Sequence, residues 1–448
     1  MEHMRTVPIS GLKFNFWITN PSDTPVLPVK QWEEHVKLRE MVEKIRKRQA
    51  GQSLFEMSDQ YRRDHISSFT QWFNENGGVA KQVVIDDFGH QGLGLKAVSE
   101  IKEGQHFITI PRKLMMSAES ARNSDLGPLI EKDNILKVCP ETAKLPLRRH
   151  FTFDDHRWAV STVTTRQNKI PSTTGEPTLA LIPMWDMCNH CNGTITTGYD
   201  LAEDSCKSMS VRDFHAGEEV CIFYGERSNG DLLVHNGFVF EENAHDKVSI
   251  QLGVSKSDPL FQMKERLLAS MGMTASSHSF PVSHGERPFD SELVTFLRIF
   301  SMTEDELKEW LKKASEDTNE LKKLSGVQTF VKEETENKGW QFLETRLTLL
   351  LKQYNTADSE DCELLENPEF PPHKKLCIRL KRAEKKVLQN ALKHAAATRS
   401  KIKDSYEERD LDCDDQNTNG HNDKSCTEEN TSNMVDATIS AVDQLCVQ

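Results

Sequence analysis

The chain has 448 residues, 37% of them hydrophobic, and a formal net charge of −13 at pH 7. That length can bury a sizeable core over two or three domains, and the acidic balance argues against a protein that meets nucleic acid through bulk electrostatics. No apolar run approaches the ~20 residues of a membrane span, no basic-then-apolar opening reads as a secretory signal, and the ten cysteines are scattered, as free thiols in a reducing compartment are.

Residues 1–30 are aperiodic and contain proline, which reads as a loose leader. From Gln31 to Ala50, Trp32, Val36, Leu38, Val42 and Ile45 recur at helical spacing, with Gly51 as the stop. The basic run Lys44-Ile45-Arg46-Lys47-Arg48 lies on that helix and reads as a solvated face ahead of a targeting or binding patch. A second helix is expected from about Asp64 to Asn76, ending at Gly77-Gly78, so that 31–78 is a helical segment. Short strands with glycine punctuation follow at Val83–Ile85, Leu95–Val98 and Phe107–Ile110. Ser117 can cap a short helix with Glu119 in its first turn, and Thr152-Phe153-Asp154-Asp155 opens another through about Gln167, with Pro171 beyond it. Strands are expected again at Thr178–Ile182, Ser208–Val211 and Glu219–Phe223. From about Ser257 the chain reads as helical, with a capping box at Thr303-Glu304-Asp305-Glu306. The stripe of Phe342, Leu343, Leu347, Leu350 and Leu351 reads as bundle core ahead of a protein-docking groove. Beyond 400 the composition turns to Asp, Glu, Asn and Thr, and disorder is expected.

Two stretches carry the chemistry, Trp185-Asp186-Met187-Cys188-Asn189-His190 and Ile222-Phe223-Tyr224-Gly225. An Asn-His pair inside an apolar segment would cost about 1–3 kcal/mol per unpaired polar group if it were plain core. A polar ligand gripped where two buried segments cross explains both stretches, and Gly92-Leu93-Gly94-Leu95 upstream lets the backbone approach it closely. Taken singly, His190 reads as a buried ring bonded to backbone, Tyr224 as a core tyrosine, and Asp186 as a turn bond ahead of a general base. Cys188, Cys191, Cys206 and Cys221 have the residue type of a zinc site, but Cys188 falls inside the Asn-His motif and Cys221 mid-strand, so no metal is expected.

Read together, Gly92–Leu95, Thr165-Arg166-Gln167-Asn168, Trp185–His190 and Tyr224-Gly225-Glu226-Arg227 resemble the SET-domain methyltransferases, in the branch that includes the RuBisCO large-subunit methyltransferases. The resemblance covers about Gln31 to Arg399 and implies an α+β chain. A SET domain of short strands would occupy 79–240 behind the N-terminal helices, an all-α substrate-binding domain 247–400, and an acidic tail 401–448. The branch's long helical SET insertion is mostly missing near 136–147, where Asp133-Asn134-Ile135-Leu136 runs almost directly into Lys137-Val138 and Lys144-Leu145-Pro146-Leu147.

The resemblance also implies S-adenosyl-L-methionine as cofactor, held by Arg62, Gln91, Gly92, Leu93, Arg166, Asp186, Met187, Cys188, Asn189, His190, Asn236, Gly237 and Phe238. Relatives carry Glu and Phe in place of Gln91 and Leu93, and Ser in place of Asn236. Within the branch the chain is most similar to members that methylate a histidine of actin. That likeness implies actin as protein substrate, transfer to an imidazole nitrogen, a monomer, and a cytoplasmic location with the nucleus as a second. Tyr224, Asn168 and Trp185 would be catalytic, and Asn168, Trp185, Ile222 and Arg227 would meet the substrate. An amide at Asn168 can donate to one imidazole nitrogen and aim the other at the methyl group, with Trp185 as a flat wall. Histidine suits a site without an evident base. Deprotonating lysine, pKa about 10.4, costs about 4–5 kcal/mol near neutral pH, whereas histidine near 6.5 is mostly neutral already. The alternatives are a lysine methyltransferase and a catalytically impaired actin-binding form.

Overall fold

The computed structural model describes residues 28–49, 59–124, 127, 152–172, 176–326, 331–354 and 356–414. Most of the leader, the shortened insertion near 136–147 and the end of the tail lie outside them. The chain divides into two compact units. The first takes residues up to Asn189 together with Thr196–Cys221, and the second takes His190–Ile195 and everything from Ile222.

The first unit opens with helices α1 (Pro28–Gln49), α2 (Asp59–Asp64) and α3 (Ile66–Glu75). Helix α3 is amphipathic and buries Phe73. The Phe73 ring lies where a side chain at Gly78 would stand, 2.4 Å from an ideal Cβ, so this glycine just past the helix makes room for its core residue. Short strands follow: β1 (Val79–Ala80), β2 (Val83–Asp87), β3 (Leu93–Ala97), β4 (His106–Pro111) and β5 (Met116–Ser117). Then come α4 (Ala118–Arg122), α5 (Phe153–Arg166), β6 (Asn168–Ile170), β7 (Thr178–Leu181), β8 (Thr197–Asp200) and β9 (Ser205–Met209). They form an antiparallel sheet in the order β1-β4-β9-β8, a β2-β3 hairpin and a β5-β7-β6 sheet. Phe73, Leu95, Ile101, Phe107, Ile110 and Phe214 are buried among them. The caps read from sequence are in place: Ser117 accepts from Ser120 N–H, and Thr152 exchanges bonds with Asp155.

The expected strand Glu219–Phe223 is absent, and only single bridges form there, Lys96 with Glu219 and His190 with Ile222. The segment changes partners along its length. Val220 N–H donates to Leu95 O, whereas Ile222 O accepts from Cys191 N–H, so no ladder builds.

The second unit holds α6 (Asn229–Asn236), β10 (Lys247–Leu252), α7 (Phe261–Ser270), β11 (His278–Ser283), α8 (Ser291–Ser301), α9 (Glu304–Glu316), α10 (Glu333–Lys352), α11 (Asp358–Glu366) and α12 (Pro372–Asp414). Its core gathers Phe280, Phe296, Leu307, Leu343, Leu347, Leu388 and Ala391, with Phe342, Leu350 and Leu351 packed against it, as the stripe implied. Gly339 brings α10 close to α8, leaving 3.1 Å between an ideal Cβ and Leu297 O. One buried ion pair crosses this core: Arg298 Nε donates to Glu336 Oε1 at 2.6 Å, and its Nη1 to Leu324 O and Gly326 O.

Two expectations are corrected here. The region after Ser257 is not helical throughout: β11 pairs antiparallel with β10, burying Phe280 and Val282 at period two. The tail does not begin at 401, because α12 continues to Asp414 with Ile402 buried in the core. Among the described residues no helix is long and apolar enough to cross a membrane.

Candidate active site

In the first unit, Gly92 has φ +76° and ψ −149°, a backbone open essentially to glycine alone, and nothing lies within 4 Å of an ideal Cβ there. Gly94 is the opposite case. A Cβ would stand 2.5 Å from Glu219 Oε1, 2.9 Å from Phe88 and 3.1 Å from Asn189 Nδ2. The glycine makes room for the bond between these last polar groups, Asn189 Nδ2 donating to Glu219 Oε1 at 2.6 Å. Glu219 was not among the residues singled out. The signal was present, a carboxylate directly before Val220-Cys221-Ile222, the counterpart of an amide in an apolar stretch.

Helix α5 delivers Arg166 to the Asp186 turn, where Nη1 donates to Asp186 O at 2.7 Å and the exposed guanidinium remains accessible. Asn168, two residues on, donates from Nδ2 to Arg166 O at 3.0 Å. Trp185 Nε1 donates to Thr197 Oγ1 at 3.0 Å, which fixes the indole plane. Trp185 N–H also bonds Pro183 O at 2.8 Å across Met184, whose φ of +66° makes a γ-turn that costs a non-glycine residue about 1–3 kcal/mol. This strained turn aims Trp185, Asp186 and Met187 together. Burial pushes the Asp186 carboxyl up to about 7, against the opposing pull of Arg166. Cys188 is fully buried and Gln91 is exposed. Arg62, Leu93 and Met187 share one cleft of about 190 Å³, completed by Tyr61, His65, Ile66, Phe69 and Ile85.

In the second unit, His190 is 9% exposed. Its Nδ1 accepts from Tyr224 N–H at 3.2 Å, so the neutral ring carries its proton on Nε2. The rings of Phe223, Tyr224, Phe238 and Phe240 surround it at centroid distances of 5.0–6.0 Å. Burial, with His245 and Arg227 adding repulsion, drives the imidazole down to about 4. Ile222 is buried beside it through the parallel bridge. Arg227 Nη1 donates to Asn236 Oδ1 at 2.7 Å, and Gly237 ends α6 in the left-handed conformation that presents Phe238. The predicted residues thus gather in two groups: Arg62, Gly92, Leu93, Arg166, Asn168, Trp185–Met187 and Asn189 in one unit, and His190, Ile222, Tyr224, Arg227 and Asn236–Phe238 in the other.

Comparison with known proteins matches the same regions. The SET domain family profile fits residues 92–225, and the Rubisco LSMT substrate-binding profile fits 255–388. These two regions define a SET-domain methyltransferase with an LSMT-type substrate-binding domain. Two solved structures, the SET domain of LSMT bound to lysine and AdoHcy and Rubisco LSMT bound to AdoMet, superpose with a TM-score of 0.54 at 19% identity. Each covers 80% of this chain and 97% of its own, and the likeness shows the fold. The actin-histidine N-methyltransferase of Danio rerio is 40% identical over 83% of this chain and 74% of its own length. That of Xenopus tropicalis is 39% identical over 87% and 79%, and that of Homo sapiens 39% over 85% and 76%. The chain belongs to this family.

Proposed function

We propose that the protein is an S-adenosyl-L-methionine-dependent protein-histidine N-methyltransferase whose substrate is actin, working in the cytoplasm and nucleus. The observation that carries the histidine assignment is the anchored amide of Asn168, and the family relationship supports the choice of substrate. A neutral imidazole attacks through the nitrogen that has a lone pair, so its other nitrogen bears hydrogen and needs an acceptor. With Nδ2 committed to Arg166 O, Asn168 offers Oδ1 as that acceptor. This reverses the direction of the bond expected from sequence, where the amide was the donor. The bond strengthens as the ring becomes cationic, so it favours the transition state over the ground state.

The residues present fit the cofactor. The Gly92 turn leaves main chain without a side chain beside the cleft, and Arg62 and Arg166 offer cations to a carboxylate. S-adenosyl-L-methionine, when bound, supplies a sulfonium-activated methyl group. Trp185, fixed by Thr197, is a flat wall for the imidazole. Tyr224 is assigned the role of orienting the nucleophile; the lone-pair nitrogen would take the methyl group as its bond to sulfur breaks, S-adenosyl-L-homocysteine would leave, and the methylated ring would then release its other N–H proton to solvent.

The test is methyl transfer from tritiated cofactor to purified actin by the full chain, with the modified residue located by mass spectrometry. Label on a histidine is expected. Asn168→Phe is expected to cut kcat/KM on a histidine peptide by about tenfold or more, the loss of about 1.4 kcal/mol, and to affect the matching lysine peptide less. Label on lysine would make the protein a lysine methyltransferase. Actin binding without transfer would make it an actin-binding form lacking a competent cleft.

A further inference from the structure

Asn229 is 1% exposed and lies outside every residue group assigned so far. It makes three hydrogen bonds. Its main-chain N–H donates to Asp246 Oδ1 at 2.8 Å, its Nδ2 donates to Asp246 Oδ2 at 2.7 Å, and its Oδ1 accepts from Phe240 N–H at 2.8 Å. Asp246 is itself 5% exposed, and its Oδ1 also accepts from Lys247 N–H at 3.0 Å. A buried carboxylate gripped this way at the first residue of α6 fixes where that helix starts. The bond to Phe240 fixes the chain just beyond where α6 ends. Between the two tied points run Asn236, Gly237 and Phe238, and Phe240 is one of the rings packed on His190.

We infer that Asn229 and Asp246 form a positioning pair, setting the height of the Asn236–Phe238 segment and the Phe240 ring beside His190 and thereby the affinity for S-adenosyl-L-methionine. Both side chains are buried, bonded to each other and to the main chain of Asn229, Phe240 and Lys247. The pair acts through the main chain that carries those residues, and the inference rests on the assignment of that segment to the cofactor. A hydrogen-bond count shows why these two residue types are needed. Position 229 must accept once and donate once from its side chain, and position 246 must accept twice from residue 229, its Oδ1 also taking Lys247 N–H. Asp246→Asn alone sets two amide donors against each other. Exchanging the residues, Asn229→Asp with Asp246→Asn, restores all three bonds: Nδ2 at 246 donates to the carboxylate at 229, Oδ1 at 246 accepts the N–H of residue 229, and the remaining carboxylate oxygen accepts from Phe240.

The experiment titrates S-adenosyl-L-homocysteine calorimetrically into the full-length parent, Asn229→Ala, Asp246→Asn and the exchanged double variant, with circular dichroism to show that each is folded. The single variants are expected to bind at least tenfold more weakly and the double variant within threefold of the parent. Folded single variants that lose thermal stability yet bind like the parent would show a structural role only and overturn the inference. If the single variants do not fold, the double variant decides: folded and within threefold supports the pair, folded and more than tenfold weaker overturns it. A parent that does not bind the homocysteine compound removes the assignment of the cofactor itself, a result distinct from a parent that binds and variants that match it.

Discussion

The imidazole of His190 gives the most demanding test of the site's geometry. In the unfolded chain the ring takes a proton below about pH 6.5. In the folded protein it does so only near 4, because it is buried and because His245 and Arg227 add repulsion. Between these values the unfolded state binds more protons, so stability falls as pH falls through the window and is complete above it. Linkage with those two values gives a loss of about 2.5 kcal/mol between about pH 7.5 and about pH 4.5. Other carboxylates and histidines titrate over the same range, so the readout is a difference. His190→Gln keeps an acceptor for Tyr224 and cannot titrate. Its urea-unfolding free energy should gain on that of the parent by about 2.5 kcal/mol over this span. The ring itself can be followed by the pH dependence of its proton resonances, where a midpoint near 4 is expected. A ring that titrates at 6 or above, or a parent-to-variant difference that does not move with pH, would refute the reasoning.

Gly94→Ala should destabilise by about 2–4 kcal/mol, combining overpacking with the displaced Asn189–Glu219 bond; chemical denaturation measures it, and a cost below about 0.5 kcal/mol would mean that those neighbours yield freely. The Asp186 carboxyl is raised, so its contribution is complete below about pH 4 and is lost as pH rises through about 7. Asp186→Asn should therefore gain about 1–2 kcal/mol on the parent between those limits, a figure discounted for partial solvent access and read from melting curves at both ends. Glu336→Ala leaves the Arg298 cation buried and should cost about 3–5 kcal/mol in urea unfolding.

Local chemistry was legible and distant pairing was not. The caps at Ser117, Thr152 and Thr303 are read within four residues, and each forms the bonds its spacing implies. Leu343 and Leu347 repeat at helical spacing and end in the core. The Glu219–Phe223 segment has strand composition, but its pairing is decided by Leu95 on one side and Cys191 on the other, a change of partner that composition does not record. Strand β11 carries Pro281 amid serines, and its six-residue alternation is shorter than the helical pattern around it. Of the site, the residue types were visible in Arg166, Asn168 and Asn189. Their hydrogen-bond directions were not, because Asn168 depends on Arg166 O and Asn189 on Glu219. Asn229 gave no signal at all, since its partners are Phe240 and Asp246.

The division of the chain limits how this protein can be taken apart. It leaves the first unit after Asn189, gives His190–Ile195 to the second, returns for Thr196–Cys221, and leaves again at Ile222. Neither unit is therefore a continuous stretch of sequence. A fragment stopping at Cys221 carries a short piece of the other unit with nothing to fold onto, and a fragment starting at Ile222 lacks that piece, His190 included. Separate expression of the two halves should part His190 from the rings of Phe223, Tyr224, Phe238 and Phe240, and a protease cut between 190 and 221 severs the chain that joins them. During synthesis the His190 segment leaves the ribosome before the residues around it, so this corner of the protein must wait until Phe240 has emerged.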